Sequence, residues 1–371
     1  MNILVIGGTG VLSSAVVSEA LKRGFEVTMI NRGNRPIPQK VRLIKSDKNN
    51  MDYISKQLGN SRYTAVIDFL CYSEPSTTLS FNFYKKYTKQ YFFISSCAVY
   101  DTRLGEICTE NSPKVLPIWN YSKNKWASEQ HLIKLAKGTD TNYTIIRPGV
   151  TYGETRIPYG ISPKYGYHWT LAARILAGKP IIRWNGGENK CNMTRVEDFA
   201  VGVVGLIGNP QAYNEAFNVC GNECPSFNDV LEAMSNYLGK QYIAFDMSSK
   251  DYAREIPNRA GELLGGRSIN AINSNEKIKT VVPSFHQTIL LKEGVNMTLD
   301  AYKAQDYQFG IDWEFDAETD RIIRKYSHNH KGYKTDFFDY LGNATYKEKI
   351  KYYRTKFKNN LFMRIVNRCL R

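Results

Sequence analysis

The sequence predicts an α/β fold: a doubly wound parallel sheet with helices on both faces, followed by a smaller C-terminal lobe. Three observations lead there. A glycine turn joins an apolar strand to a helix at the amino end, and short β-branched or aromatic runs then alternate with helical segments as far as about residue 147. The chain has 371 residues, 42% hydrophobic and 23% charged, enough for one large or two medium domains.

Asn2-Ile3-Leu4-Val5-Ile6 reads as a buried parallel strand that ends at Gly7-Gly8-Thr9-Gly10. The following helix runs from Val11 to Arg23 and closes at Gly24, and Val27 to Ile30 is the next strand. Strand, glycine turn, helix and strand make the first half of a Rossmann unit. Its turn brings backbone close to a pyrophosphate and aims helix N-terminal amides at it. Gly7, Gly10, Val11 and Leu12 are therefore candidate cofactor contacts. Gly7 and Gly10 fit the glycine pattern, and Ser13 stands at its third glycine. An acidic residue at the end of the second strand would take the ribose hydroxyls of NAD. Asn31-Arg32-Gly33 ends that strand instead, with Arg35 close behind, so Asn31 and Arg32 are the candidates and the cofactor leans towards NADP over NAD.

Val41 to Ile44 is the third strand. Asp47 follows it, placed either to accept from an adenine amino group or to cap a turn. Met51 to Leu58 is a short helix, Thr64 to Phe69 the fourth strand, Pro75 to Tyr87 a helix and Tyr91 to Ile94 the fifth strand. Ser95-Ser96 ends that strand. Tyr121-Ser122-Lys123-Asn124-Lys125 opens the next helix, which continues through Leu135. At i and i+4, Tyr121 and Lys125 share a helical face. A cation beside a phenol lowers its pKa from about 10. Tyr121 is therefore a candidate acid/base. Tyr143 to Arg147 is the sixth strand.

The segments GGTGVLSS (7–14), SSCAVY (95–100), YSKNK (121–125), RPGVTYG (147–153), MTRVEDFA (193–200) and KEGVNMTLDAY (292–302) resemble the extended short-chain dehydrogenase/reductases. Within that class they resemble the nucleotide-sugar epimerases and dehydratases typified by UDP-galactose 4-epimerase. The resemblance implies catalytic roles for Ser96, Tyr121 and Lys125. Ser96 would hold the reacting hydroxyl, Tyr121 exchange its proton, and Lys125 support the phenolate and hold the nicotinamide ribose. Dehydratases of the group carry Asp-Glu after the serine or threonine, where this chain has Cys97-Ala98, so epimerisation or reduction is expected. A family arginine that grips diphosphate is replaced by Cys191, leaving Lys190 beside it. Arg259 matches the second such arginine, and Arg267 is a nearby candidate. Ser96, Lys190 and Arg259 are thus the expected substrate contacts, and a nucleotide-linked sugar the expected substrate.

The expected organisation is a dinucleotide domain over 1–150 with a return segment near 190–220, a substrate lobe over 151–310 and a helical basic extension over 311–371. Seven scattered cysteines, odd in number, fit reduced thiols, and no cysteine or histidine spacing suggests a metal. The amino-terminal apolar run is too short for a signal peptide or a membrane span, so a cytoplasmic protein is expected. Net charge is +15. Nine basic residues against Glu348 between 347 and 371 supply +8 of it. There Ile350, Tyr353, Phe357, Leu361 and Ile365 recur at helical spacing, which suits either a helix docked on its own domain or a dimer partner, or peripheral contact with an anionic membrane. A homodimer is expected. Relatives of the fold also resemble chloroplast stem-loop RNA-binding proteins, which supplies the alternative of a non-catalytic RNA binder. Charge concentrated in one tail argues against nucleic acid.

Overall fold

The computed structural model describes residues 1–105, 107–114, 118–306, 310–327, 341–342, 344–358 and 360. The chain forms two compact units, one of 1–153, 189–225 and 264–291, the other of 154–188, 226–263 and 292–371.

The first unit is built on seven parallel strands: β1 (Asn2–Ile6), β2 (Glu26–Asn31), β3 (Val41–Lys45), β4 (Ala65–Asp68), β5 (Gln90–Ile94), β6 (Asn142–Pro148) and β7 (Glu215–Val219). Their order is β7-β6-β5-β4-β1-β2-β3. Strand order therefore reverses between β1 and β4, and a crevice opens outside the carboxyl ends of such neighbours. Register aligns those ends, since Ile6 pairs with both Ile30 and Asp68. The uninterrupted apolar run of β1 is explained by burial on both faces. Ile3 and Val5 join a core with Val16, Val17, Phe199 and Val203, while Leu4 and Ile6 join one with Phe81, Tyr91, Phe93 and Leu132. Each such fully buried side chain contributes about 1.5–3 kcal/mol.

Helices α1 (Val11–Lys22), α2 (Met51–Leu58), α3 (Glu74–Tyr84) and α4 (Asn120–Ala136) fall where the sequence places them, within a few residues at their ends. A 3-10 turn, Lys85–Tyr87, takes the last residues expected of α3. The sequence reading stops at six strands. The seventh lies in the return segment and pairs with β6 from Glu215↔Thr144 to Val219↔Pro148.

In the second unit a two-stranded parallel pair, Ile181–Trp184 with Ala244–Met247, lies among helices that include Trp169–Leu176, Trp313–Tyr326 and Tyr346–Lys356. Four buried charges tie these helices together. Arg174 pairs with Asp316 and, at 3.0 Å, with Asp320, while Lys179 lies 2.5 Å from Asp316 and 2.8 Å from Asp320. Tyr352 donates its hydroxyl to Asp320 at 2.5 Å, and Lys356 approaches the same carboxylate at 3.5 Å. The helix Tyr346–Lys356 is thus docked on its own unit. The expected apolar stripe is corrected here: Tyr352 is the buried residue, whereas Ile350 and Tyr353 are 41% and 37% exposed. Leu361 and Ile365 of that stripe, and His328 and His330, lie outside the described residues. Among the described residues no helix is long and apolar enough to cross a membrane.

Burial alone would raise the Asp320 pKa, but the charges of Arg174, Lys179 and Lys356 overcome it and hold the carboxyl well below the usual range. Its contribution to stability is therefore present above the unfolded value near ~3.9 and is lost as pH falls. Asp320→Asn leaves buried cations under-compensated and is expected to cost about 3 kcal/mol in urea unfolding at pH 7, with a smaller difference from the parent at pH 3.

Candidate active site

The glycine turn after β1 has the backbone that a phosphate cradle needs. Gly7 and Gly8 have φ of +108° and +91°, and a Cβ on Gly8 would sit 2.4 Å from Met29 Cε. Val11 and Leu12 occupy the first turn of α1, where helical amides lack intrahelical partners. Ser13 takes one amide back: its buried Oγ accepts the Gly10 N–H at 2.8 Å. The loop is braced from two sides. Asn31 donates from Nδ2 to Gly7 O at 3.1 Å and accepts the Gly33 N–H at 2.8 Å, while Arg35 donates to Thr9 O at 2.7 Å. Asn31 is therefore a brace of the loop, Arg32 is exposed, and Arg35 is the cation that reaches the turn. Asp47 is exposed and accepts the Asn49 N–H at 2.9 Å, in the turn that opens α2. An open backbone turn, helix N-terminal amides and the Arg35 guanidinium fit the pyrophosphate of a dinucleotide.

Helix α4 is fixed against the sheet by a buried ion pair. Arg147 of β6 binds Glu129 of α4 through two hydrogen bonds, at 3.0 and 2.6 Å, and Ser95 donates to the same carboxylate. That anchor leaves Tyr121 and Lys125 in the opening turns of α4, at the end of β5. Lys125 is 2% exposed, and its ammonium donates to Cys71 O and Ile94 O, each at 2.7 Å. It also lies 4.4 Å from the centre of the Tyr72 ring and 5.9 Å from that of Tyr121. Burial lowers its pKa to about 8, against the opposing pull of Cys71, Asp68 and Glu129. Ser96 follows β5, and its Oγ accepts the Ala98 N–H at 3.1 Å, which leaves the hydroxyl proton to donate elsewhere.

Beside Tyr121, the Trp119 ring lies 4.9 Å away, and the Arg267 guanidinium sits 5.7 Å from Trp119. Gly265 and Gly266 permit this approach, since a Cβ on either would come within 3.1 Å of Trp119. The structure thus brings Tyr121, Lys125, Trp119 and Arg267 together. Lys190 is exposed in the same unit, with its N–H bonded to Asn270. Arg259 belongs to the second unit, where it pairs with Glu262 at 2.9 Å and donates to Ser162 O at 2.6 Å on the wall of a cleft of about 450 Å³.

The sequence reading does not single out Ser13 as a partner of the turn, nor Asp68 and Tyr72 around Lys125. The polar Asp68 ending an apolar strand, and the aromatic after it, are the signals that could have found the last two.

Parallel strands reversing at β1/β4, a phosphate turn at that reversal and a buried lysine one helical turn from a tyrosine define an extended short-chain dehydrogenase/reductase. The chain belongs to the NAD dependent epimerase/dehydratase family, whose model matches residues 3–220. It is 26% identical over 256 residues to the chloroplast stem-loop binding protein of 41 kDa b of Arabidopsis thaliana, covering 64% of this chain and 63% of that protein. It is also 26% identical over 176 residues to UDP-arabinose 4-epimerase 1 of the same plant, covering 39% and 42%. The chain thus spans less than two thirds of the length of either. Its fold is shared with UDP-glucose 4-epimerase of Thermotoga maritima, at 17% identity and a TM-score of 0.66, over 82% of this chain and all but 1% of that one. It is shared too with the Thermus thermophilus UDP-glucose 4-epimerase solved with NAD, at 18% identity, TM-score 0.64 and coverage of 82% and 99%.

The turn yields a direct test. Gly8→Ala places a side chain at positive φ, at a cost of about 1–2 kcal/mol. It should weaken dinucleotide binding by about tenfold or more, as measured by quenching of tryptophan fluorescence, through loss of the backbone path that the anion needs.

Proposed function

We propose that this protein is an NAD(P)-dependent epimerase or reductase acting on a hydroxyl or keto carbon of a sugar that is linked to a nucleotide. The observation that carries the reading is the Lys125 ammonium, buried next to Tyr121 at the end of β5. A nicotinamide bound there supplies a hydride acceptor that can also return the hydride. The chain's own residues do the rest. Tyr121 takes the proton of the substrate hydroxyl at its phenolic oxygen and gives it back, and Ser96 donates its hydroxyl proton to the substrate oxygen. Lys125 holds positive charge beside the phenolate in a site from which burial excludes water.

Gly7, Gly10, Val11 and Leu12 would hold the pyrophosphate. Arg32 and Arg35, with no carboxylate at the end of β2, support NADP as the preferred cofactor. Arg267 stacked on Trp119 supports recognition of a sugar nucleotide, because a guanidinium on an aromatic face suits a phosphate next to a planar base. Lys190 and Arg259 remain proposed as further phosphate contacts.

A second reading, a non-catalytic RNA-binding protein, draws on the likeness to the stem-loop binding protein. Binding nucleic acid gives no use for a buried ammonium beside a tyrosine, and that favours the enzyme.

The test is a panel of UDP-glucose, UDP-glucuronic acid and UDP-arabinose, followed by product analysis and by absorbance of the nicotinamide. Tyr121→Phe should lower turnover by about 10²–10⁴-fold while NADP⁺ affinity stays within about twofold. Turnover that survives in Tyr121→Phe would overturn the acid/base role given to Tyr121, and a panel without product would overturn the enzymatic assignment. The pH profile has a definite sign: Lys125 is charged below about 8, so kcat/KM should fall as pH rises through that value. In parallel titrations NADP⁺ should bind more tightly than NAD⁺, and Arg32→Ala combined with Arg35→Ala should narrow the gap by about tenfold.

A further inference from the structure

The mechanism leaves a buried carboxylate near the site unused. Asp68 ends β4, is 1% exposed, and sits beside Lys125. Its Oδ1 accepts the Leu70 N–H at 2.7 Å, and its Oδ2 accepts from the hydroxyl of Ser80, from Tyr91 O–H at 3.0 Å and from the Cys71 thiol at 3.1 Å. Through these neutral donors the carboxylate ties together β4, α3 and β5.

What the carboxylate holds is the turn 69–72. Two carbonyls of that turn each receive an ammonium: Leu70 O from Lys48 at 2.6 Å and Cys71 O from Lys125 at 2.7 Å. The turn also carries Tyr72, whose hydroxyl donates back to Phe69 O at 3.1 Å and whose ring covers the Lys125 ammonium. On its other side the turn meets the phosphate loop, since a Cβ on Gly7 would lie 3.5 Å from Leu70 Cγ. The same few residues thus form a wall of the glycine turn and the seat of the lysine.

We propose that Asp68 is a positioning residue for this site: by holding the 69–72 turn it sets the Cys71 carbonyl, and through it the Lys125 ammonium, beside Tyr121. The proposal rests on the roles given above to Tyr121 and Lys125. The groups facing Lys125 are Asp68 on β4, Cys71 and Tyr72 on the turn, Lys48 before α2, and Glu129 and Tyr121 on α4 itself. Asp68 and Glu129 favour the charged ammonium, and Lys48 opposes it.

Asp68→Asn keeps the shape and removes the charge. The readouts need no substrate: the titration of the Lys125 side-chain signal in ¹⁵N-lysine NMR spectra, assigned with Lys125→Met, and the affinity for NADP⁺. In the folded Asn variant the lysine should titrate at lower pH than in the parent, because a negative neighbour is gone, and NADP⁺ binding at pH 7 should weaken by about fivefold. An Asn variant with a lowered melting temperature but with both readouts unmoved would reduce Asp68 to a structural role and overturn the proposal. Should the Asn variant not fold, Tyr91→Phe removes one donor and keeps the carboxylate. It should weaken NADP⁺ by about twofold without lowering the titration point of Lys125, and unchanged affinity there would be equally fatal. Neither readout involves turnover. An active Tyr121→Phe enzyme would therefore defeat the acid/base role of Tyr121 by itself, and an unmoved lysine would defeat only the positioning role of Asp68.

Discussion

The first unit depends on where one ammonium is put. Lys125 lies on a helix, yet both of its short hydrogen bonds go to backbone carbonyls elsewhere, one after β4 and one at the end of β5. A charge can be kept in so buried a place only if strong acceptors replace water. The bonds that satisfy the lysine therefore also fix the distance between helix and sheet. The Arg147–Glu129 pair performs the same service further along α4, joining the helix to β6 through paired parallel hydrogen bonds. The placement of Lys125 near Tyr121 and the attachment of α4 to the sheet are set by the same contacts.

What was legible in the sequence was local. A glycine turn between a strand and a helix declares itself within about ten residues, as does a tyrosine four positions before a lysine, because helix geometry alone puts them together. The family pattern added Ser96. The surroundings of Lys125 were not legible, because Asp68, Ser80 and Tyr91 come from a strand, a helix and another strand that meet only after folding. The seventh strand was hidden by its distance in sequence from its neighbour and by the polar Asn218 in its short run.

The C-terminal helix shows a different limit. Hydrophobic spacing takes Ile350 and Tyr353 as its inner face. Tyr352 is buried instead, because a phenol can fill apolar space and still give Asp320 a hydrogen bond at its tip. Periodicity ranks faces by greasiness and has no knowledge of the carboxylate waiting on the partner helix.

That docking has a consequence for the integrity of the second unit. A proteolytic nick that released the segment from Tyr346 onwards would strip a hydroxyl and an ammonium from Asp320 and let solvent reach a cluster built to be dry. Arg174, Lys179 and the two aspartates would then hydrate individually, and the attraction that spans three helices would be dispersed into the bulk. The helix Tyr346–Lys356 is the cork of an ionic interior, so removing it is an operation on the core.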